Sequence, residues 1–111
     1  MPDEDDTVIA NLKRAGAIII GKTNLAELGI TGFTHRFSTP PEPLEFDLCT
    51  GGFSSGSGAV TTACLCATSL GEDTGGSIRW PAFWFGLVGL RPAWGRASRY
   101  KISGVFGLRT Q

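Results

Sequence analysis

The first hydrophobic pattern lies at the start of the chain and has helical spacing. It predicts an amphipathic helix over residues 7–15, ended by Gly16, because glycine commonly follows the last helical residue. An acidic run over residues 3–6 precedes it, where negative charge favours a helix N-terminus. The apolar positions are Val8, Ile9, Leu12 and Ala15.

Three short stretches have the pattern of strands. Residues 17–20 form an apolar, β-branched run, which predicts a strand buried on both faces, and residues 88–90 predict another. Apolar and acidic residues alternate over residues 44–48, as in a short edge strand. Because predicted helices alternate with predicted strands, the pattern favours the α/β class.

The longest apolar stretch, residues 59–70, lies between two turns rich in glycine and serine, residues 51–58 and 71–79. Its apolar residues lie all round a helical wheel, which predicts a buried helix over about residues 57–67. A buried helix between two serine-rich turns would bring both turns to one place. A further helix is predicted over residues 78–85, with Pro81 in its first turn. The rest of the chain is organised around this unit.

Composition excludes several classes of protein. Ten basic and ten acidic residues give the 111-residue chain a formal net charge of zero, so nothing favours a nucleic-acid or membrane-surface partner. The run at 18–20 is too short to span a bilayer. The length suits one domain. The chain has an odd number of cysteines, Cys49, Cys64 and Cys66. They predict reduced, buried thiols in a cytoplasmic protein rather than a metal site. No cofactor is expected.

Serine in a glycine-rich turn can act as a nucleophile if a base removes its proton. One arrangement would be the Gly-x-Ser-x-Gly elbow of α/β-hydrolases, which residues 52–56 satisfy with Ser54 at the centre. That fold requires a histidine after the serine, and the chain's only histidine, His35, precedes it. The elbow stays open as one alternative.

Three ordered motifs point elsewhere. The turn 51–58, the apolar stretch and the second turn, intact from Asp73 to Arg79, resemble the signature of the amidase signature family of serine hydrolases. Residues 15–27 resemble the family's lysine segment, and residues 88–99 resemble the segment after the nucleophile. Three motifs in order are more specific than one glycine-rich loop. The resemblance implies α/β/α layers around a mixed β-sheet, with residues 1–111 as one partial amidase domain whose remainder lies elsewhere.

The resemblance also implies catalytic roles. Ser77 would be the nucleophile and Lys22, acting as a neutral base, would follow a buried strand. The backbone amides of residues 74–77, which are Thr74, Gly75, Gly76 and Ser77, would form an oxyanion hole. Asp73 and Arg79 would hold the shape of this turn. The substrate would be a small-molecule amide.

The chain departs from the family pattern at Phe53. Counting back from Ser77, Phe53 takes the place of the serine that relays a proton between lysine and nucleophile, and a phenyl ring has no exchangeable proton. Ser54 would be the substitute if the loop shifted. Two functions follow: an amidase acting through a serine acyl-enzyme, or a catalytically silent remnant or interaction module.

Overall fold

The computed structural model describes residues 3–26, 41–42, 45–49 and 51–98, with only the backbone described at 41–42 and 45–49. His35 lies outside these residues. In chain order the elements are α1 (Thr7–Arg14), β1 (Pro41–Glu42), β2 (Glu45–Cys49), α2 (Ser55–Thr62) and α3 (Arg79–Trp84).

Helix α1 confirms the first hydrophobic pattern. Asp6 caps its N-terminus, with one side-chain oxygen accepting a 2.7 Å hydrogen bond from the amide of Val8. Gly16 follows the helix with φ +87°, and Lys13 in the last turn pairs with Asp5 at 2.7 Å. The acidic run therefore supplies both a cap and an ion pair.

The strands β1 and β2 form an antiparallel pair, with Pro41 opposite Cys49 and Glu42 opposite Glu45. The alternating pattern predicted the second of these strands to within one residue at each end. The pairing brings the chain directly to the first glycine-rich turn, which leads into α2.

Helix α2 differs from the prediction in both length and burial. It starts at Ser55 and ends at Thr62, and only its first four residues, 55–58, are buried. The end is a Schellman motif: Leu65 N–H donates to Val60 C=O and Cys64 N–H donates to Thr61 C=O. Cys64 takes the left-handed position with φ +57°, so Cys64 is exposed in a turn and Cys66 half-buried, and neither lies in a buried helix.

The two other helices of the described residues end in the same motif with glycine at the left-handed position. After α3, Leu87 N–H donates to Ala82 C=O and Gly86 has φ +64°. The prediction of a helix over residues 78–85 is confirmed with its ends one residue shorter. Phe85 is buried and its ring lies against Gly58, which packs the end of α3 onto the start of α2.

Most buried side chains in the described residues are polar. The buried hydrophobic residues are Ala26, Ala82 and Phe85, whereas the buried polar ones are Ser54, Ser55, Ser57, Asp73 and Ser77. The centre therefore consists of the two serine-rich turns and the helix ends that hold them. The predicted meeting of the turns is seen directly.

The apolar runs at 17–20 and 88–90 do not form strands in the structure. Ile18 is 86% exposed and Val88 is 98% exposed. A strand buried on both faces needs neighbouring strands and covering layers, and the described residues place none against these runs. The α/β/α arrangement stays a proposal. No helix in the described ranges is long and apolar enough to cross a membrane.

Candidate active site

The two glycine- and serine-rich turns meet at Ser77. Ser54 N–H donates to the Ser77 carbonyl at 3.4 Å. A β-carbon added to Gly52 would lie 3.2 Å from the same oxygen and 2.9 Å from the ring of Pro81. Residues on both sides of Phe53 therefore lie against Ser77, and Ser77 itself is buried.

The hydroxyl of Ser54 is engaged away from Ser77. Its Oγ accepts a 3.0 Å bond from Glu72 N–H and lies 3.3 Å from Glu72 C=O, to which it donates. Ser54 is buried and precedes α2 with φ −86°, an ordinary backbone conformation. A nucleophile elbow holds its serine on a strained turn with the hydroxyl exposed. These contacts favour a structural role for Ser54 over either the elbow or a proton relay.

Asp73 is the centre of the second turn. Its side chain is fully buried and accepts bonds from three backbone amides, those of Gly76 (2.8 Å), Ile78 (3.3 Å) and Arg79 (3.2 Å). The Arg79 guanidinium donates to both carboxylate oxygens at 2.9 Å. The sequence interpretation of Asp73 and Arg79 as the pair that shapes this turn agrees with these contacts.

Arg91 reaches the same carboxylate from the segment after α3. Its Nε donates to the Asp73 carbonyl at 3.1 Å and lies 3.5 Å from Asp73 Oδ1. Two guanidinium groups thus surround one buried carboxylate. Sequence reasoning did not find Arg91, because the contact spans 18 residues and no local motif predicts it.

The hydrogen bonds around Asp73 determine its charge state. Burial opposes ionisation, but donation from the Arg79 side chain, and then from the amides of Arg79, Gly76 and Ile78, outweighs burial and lowers the pKa of Asp73 to about 2. The pKa of Arg79 is raised by its hydrogen bond to Asp73 and by the attraction of that charge. Asp73 is therefore an anion at neutral pH and serves as a fixed acceptor.

The turn offers fewer free amides than the sequence predicted. The Gly76 N–H, one of four proposed oxyanion donors, is bound to Asp73. Among the described residues, none accepts a hydrogen bond from the amides of Thr74, Gly75 and Ser77. Gly76 has φ +121°, a conformation that glycine tolerates and that reverses the chain just before Ser77. The donors left for an incoming oxyanion are those three amides.

The lysine segment packs against the start of α2. Thr23 Oγ1 lies 3.3 Å from Ser57 Oγ, within hydrogen-bonding distance. A β-carbon on Gly56 would lie 2.2 Å from the carbonyl oxygen of Asn24, so only glycine allows this approach. The segment that follows Lys22 is thereby fixed to the helix that carries the first serine turn.

Gly56→Ala should separate the lysine segment from α2. The added methyl would clash with main-chain atoms, which cannot rotate away, so we expect a loss of about 1–3 kcal/mol in the free energy of unfolding. Urea unfolding measures this loss. Gly21→Ala is the matched control, since a β-carbon there meets nothing within 4 Å. Equal unfolding midpoints for the two variants would show that the contact is not made.

Lys22 is exposed and follows an exposed, irregular segment, in contrast to the expectation that it would follow a buried strand. Within the described ranges no hydrogen bond joins it to Ser77 or to the first serine turn. Phe53 is half-buried between Gly52 and Ser54. The structure thus brings Ser77 and position 53 together, while Lys22 is connected to them only through Thr23 and Asn24.

A group of hydroxyls behind α2 was missed by sequence reasoning. Ser57 Oγ donates to Leu70 C=O at 2.5 Å, and the Ser57 carbonyl accepts from Thr61 Oγ1 at 2.8 Å and from Ser69 Oγ at 3.0 Å. Thr61 Oγ1 and Ser69 Oγ also lie 2.8 Å apart. These bonds hold the returning segment against α2 and so fix the distance between the two serine turns.

Relatives of known name match most of this chain. A glutamyl-tRNA(Gln) amidotransferase subunit of Desulforapulum autotrophicum is 47% identical over 102 residues, which is 90% of this chain and 21% of that protein. AmiD of Mycobacterium tuberculosis, which carries the name of an amidase, is 45% identical over 101 residues, 91% of this chain and 21% of that protein. The chloroplastic/mitochondrial glutamyl-tRNA(Gln) amidotransferase subunit of Zea mays is 46% identical over 103 residues, which is 91% of this chain and 19% of that protein.

The matches cover only a small part of each relative. The chain spans about a fifth of the length of the curated relatives it matches. No solved structure significantly matches the chain. The family model described as Amidase matches residues 1–111, and the chain therefore belongs to the amidase family.

Proposed function

We propose that this segment supplies the nucleophile side of a site that hydrolyses carboxylic amides through an acyl-enzyme on Ser77. The observation that carries the proposal is the packing of the first serine turn on Ser77 itself, through the contacts of Gly52 and Ser54 with its carbonyl. The site is thereby assembled from two motifs that lie more than twenty residues apart in sequence.

In this mechanism Ser77 Oγ attacks the amide carbonyl. Its proton passes to Lys22 as base through a bridging hydroxyl or water, because no contact among the described residues joins Lys22 to Ser77. The carbonyl oxygen gains negative charge, which the amides of Thr74, Gly75 and Ser77 stabilise. The C–N bond then breaks, the nitrogen takes up the proton, and ammonia or an amine leaves. Water hydrolyses the acyl ester and restores Ser77. Asp73 supports the reaction by accepting from the Gly76 amide and holding the turn that carries the proposed donors.

We also propose a small-molecule amide as the substrate and the cytoplasm as the location of this enzyme. Two outcomes for the released ammonia fit the family. It leaves as product, or a complete protein passes it to a tRNA-linked acid, the kind of activity that the name of the Desulforapulum autotrophicum relative states for that relative. The remainder of an amidase domain would supply the rest of the substrate pocket.

Phe53 favours a second candidate, a catalytically silent amidase segment with a structural or interaction role. Phe53 stands between Gly52 and Ser54, whose backbones lie against the Ser77 carbonyl, at the position where the family has a hydroxyl. Ser54 is bound to Glu72 and so does not supply the missing hydroxyl. This candidate requires the same fold and predicts no acylation of Ser77.

Covalent labelling tests the nucleophile. The parent chain and Phe53→Ser are each treated with a fluorophosphonate, which forms a stable adduct with an activated serine, and the adduct is mapped by mass spectrometry. We expect the adduct on Ser77 in both, its loss in Ser77→Ala and its retention in Ser54→Ala. An adduct on Ser54 would replace this proposal with the elbow alternative, and no adduct in the parent would support the silent segment.

A further inference from the structure

A cleft of about 300 Å³ lies beside the turn that precedes Ser77. One side is the backbone of Gly75 and Gly76, and the other is the face of α3 that presents Arg79, Trp80 and Phe83. The cleft is shallow and open to solvent. Gly76, which lines it, directly precedes the buried Ser77.

Trp80 is fixed to this turn in two ways. Its backbone N–H donates to the Gly76 carbonyl at 2.7 Å. Its indole lies over Gly76, because a β-carbon at that position would fall 2.2 Å from Trp80 Cδ1. Trp84 contacts the Trp80 indole edge to face, with 5.7 Å between ring centroids and 74° between planes. The Trp80 side of the cleft is therefore held in place although Trp80 is 54% exposed.

The charge of the cleft is largely compensated. Of the described residues that line it, Arg79 alone is charged, and both Nε and Nη2 of its guanidinium are bound to the buried Asp73 carboxylate. A positively charged amide ligand would find no carboxylate among the described residues that line the cleft, and the Arg79 guanidinium is already engaged by Asp73. A flat, uncharged group could lie against Trp80 and the second aromatic side chain, Phe83, with its amide carbonyl toward the free amides of Thr74 and Gly75.

We propose that this cleft is the acyl subsite and that it selects amides with an aromatic acyl group, with Trp80 as the specificity-determining residue. The inference rests on the proposed function, because it takes the turn beside the cleft to be the place where the carbonyl is attacked. It assigns the aromatic ring of the substrate to the space between Trp80, Phe83 and Gly75.

Binding tests the subsite without requiring hydrolysis. The 111-residue chain is titrated with phenylacetamide and, separately, with propionamide, while the three indole N–H signals are followed by NMR. The Trp80 signal is identified by its loss in Trp80→Ala. We expect phenylacetamide to shift the Trp80 signal and to leave the Trp94 signal in place, and propionamide to bind at least about fivefold more weakly.

Three variants complete the test, with affinity taken from ligand saturation-transfer signals. Trp80→Ala should weaken phenylacetamide binding about fivefold to tenfold, whereas Trp80→Phe should stay within about twofold. Trp94→Ala is the matched control, since Trp94 is 52% exposed and does not line the cleft, and it should bind as the parent does. Equal effects of Trp80→Ala and Trp94→Ala, or equal binding of the two amides, would overturn the proposal.

Ser77→Ala separates this inference from the proposed function. The subsite needs no nucleophile, so phenylacetamide should bind Ser77→Ala as it binds the parent. Retained aromatic selectivity together with no fluorophosphonate adduct on Ser77 would leave the subsite intact and reject the hydrolytic mechanism. An adduct on Ser77 with no aromatic selectivity would support the hydrolytic mechanism and reject the subsite.

Discussion

Replacing Phe53 with serine should raise amide hydrolysis by about 10²–10⁴-fold, the usual contribution of general acid–base assistance. A serine at this position would stand between Gly52 and Ser54, which both lie against Ser77, and could pass the proton of Ser77 toward Lys22. The phenyl ring of the parent has no exchangeable proton to transfer.

The assay needs a complete amidase, so residues 1–111 would replace the matching segment of the Mycobacterium tuberculosis relative. Ammonia release from an amide that this relative itself hydrolyses gives kcat/KM. Phe53→Ala is the matched control, since it removes the ring without supplying a hydroxyl and so separates crowding from proton transfer. Ser77→Ala should abolish the remaining activity.

Two results would contradict this expectation. If the parent is already as active as Phe53→Ser, the proton reaches its acceptor through water or another hydroxyl, and position 53 has no role in the relay. If Ser77→Ala leaves hydrolysis unchanged, Ser77 is not the nucleophile and the proposed mechanism fails.

Asp73→Ala should cost about 1–3 kcal/mol of the free energy of unfolding, because it removes a buried acceptor from its backbone donors, while Arg79 is half-exposed and can be solvated. Three backbone amides would lose their acceptor, and Arg79 would lose the anion that compensates its charge. Asp73→Asn should cost less, because the amide oxygen still accepts one of these bonds. Glu72→Gln, at an exposed neighbouring carboxylate, is the control and should stay within about 0.5 kcal/mol.

The same residue makes stability depend on pH. The pKa of Asp73 is lowered from 3.8 to about 2 on folding, so the unfolded chain takes up a proton more readily in acid. The stabilisation, about 2 kcal/mol, is complete above about pH 4 and is lost as the pH falls toward about 2. Urea unfolding of the parent and of Asp73→Asn at about pH 7 and about pH 2 measures it. Identical pH dependence of the two proteins would show that Asp73 is not the group responsible.

Sequence predicted the elements whose signals are local. The spacing of Val8, Ile9 and Leu12 and the glycine after them give α1, and Asp73 with Arg79 in one turn gives the shape of the nucleophile loop. The contacts between the two serine turns were also expected, because only residues 59–70 separate the turns in sequence. Each of these features is determined by residues close together along the chain.

The features that sequence missed depend on residues far apart or on an unusual conformation. Helix α2 was expected to run to about residue 67, but Cys64 takes the left-handed position that glycine occupies after α1 and α3, so no glycine marked the end. Thr61 and Thr62 are β-branched and so have a lower helix propensity than the apolar pattern alone took into account. The contact of Arg91 with Asp73 joins residues far apart in sequence. Whether the runs at 17–20 and 88–90 form buried strands depends on neighbouring strands that lie elsewhere in the sequence.

The polar centre of the described residues has a thermodynamic consequence. Exposing apolar surface raises the heat capacity of an unfolding chain, and exposing polar surface lowers it. Here serine and aspartate side chains form most of the buried set, while isoleucine and valine side chains already face water in the folded state. Unfolding should therefore change the heat capacity by less than the usual increment of about 12–15 cal/mol/K per residue, and the stability of this segment should vary little with temperature.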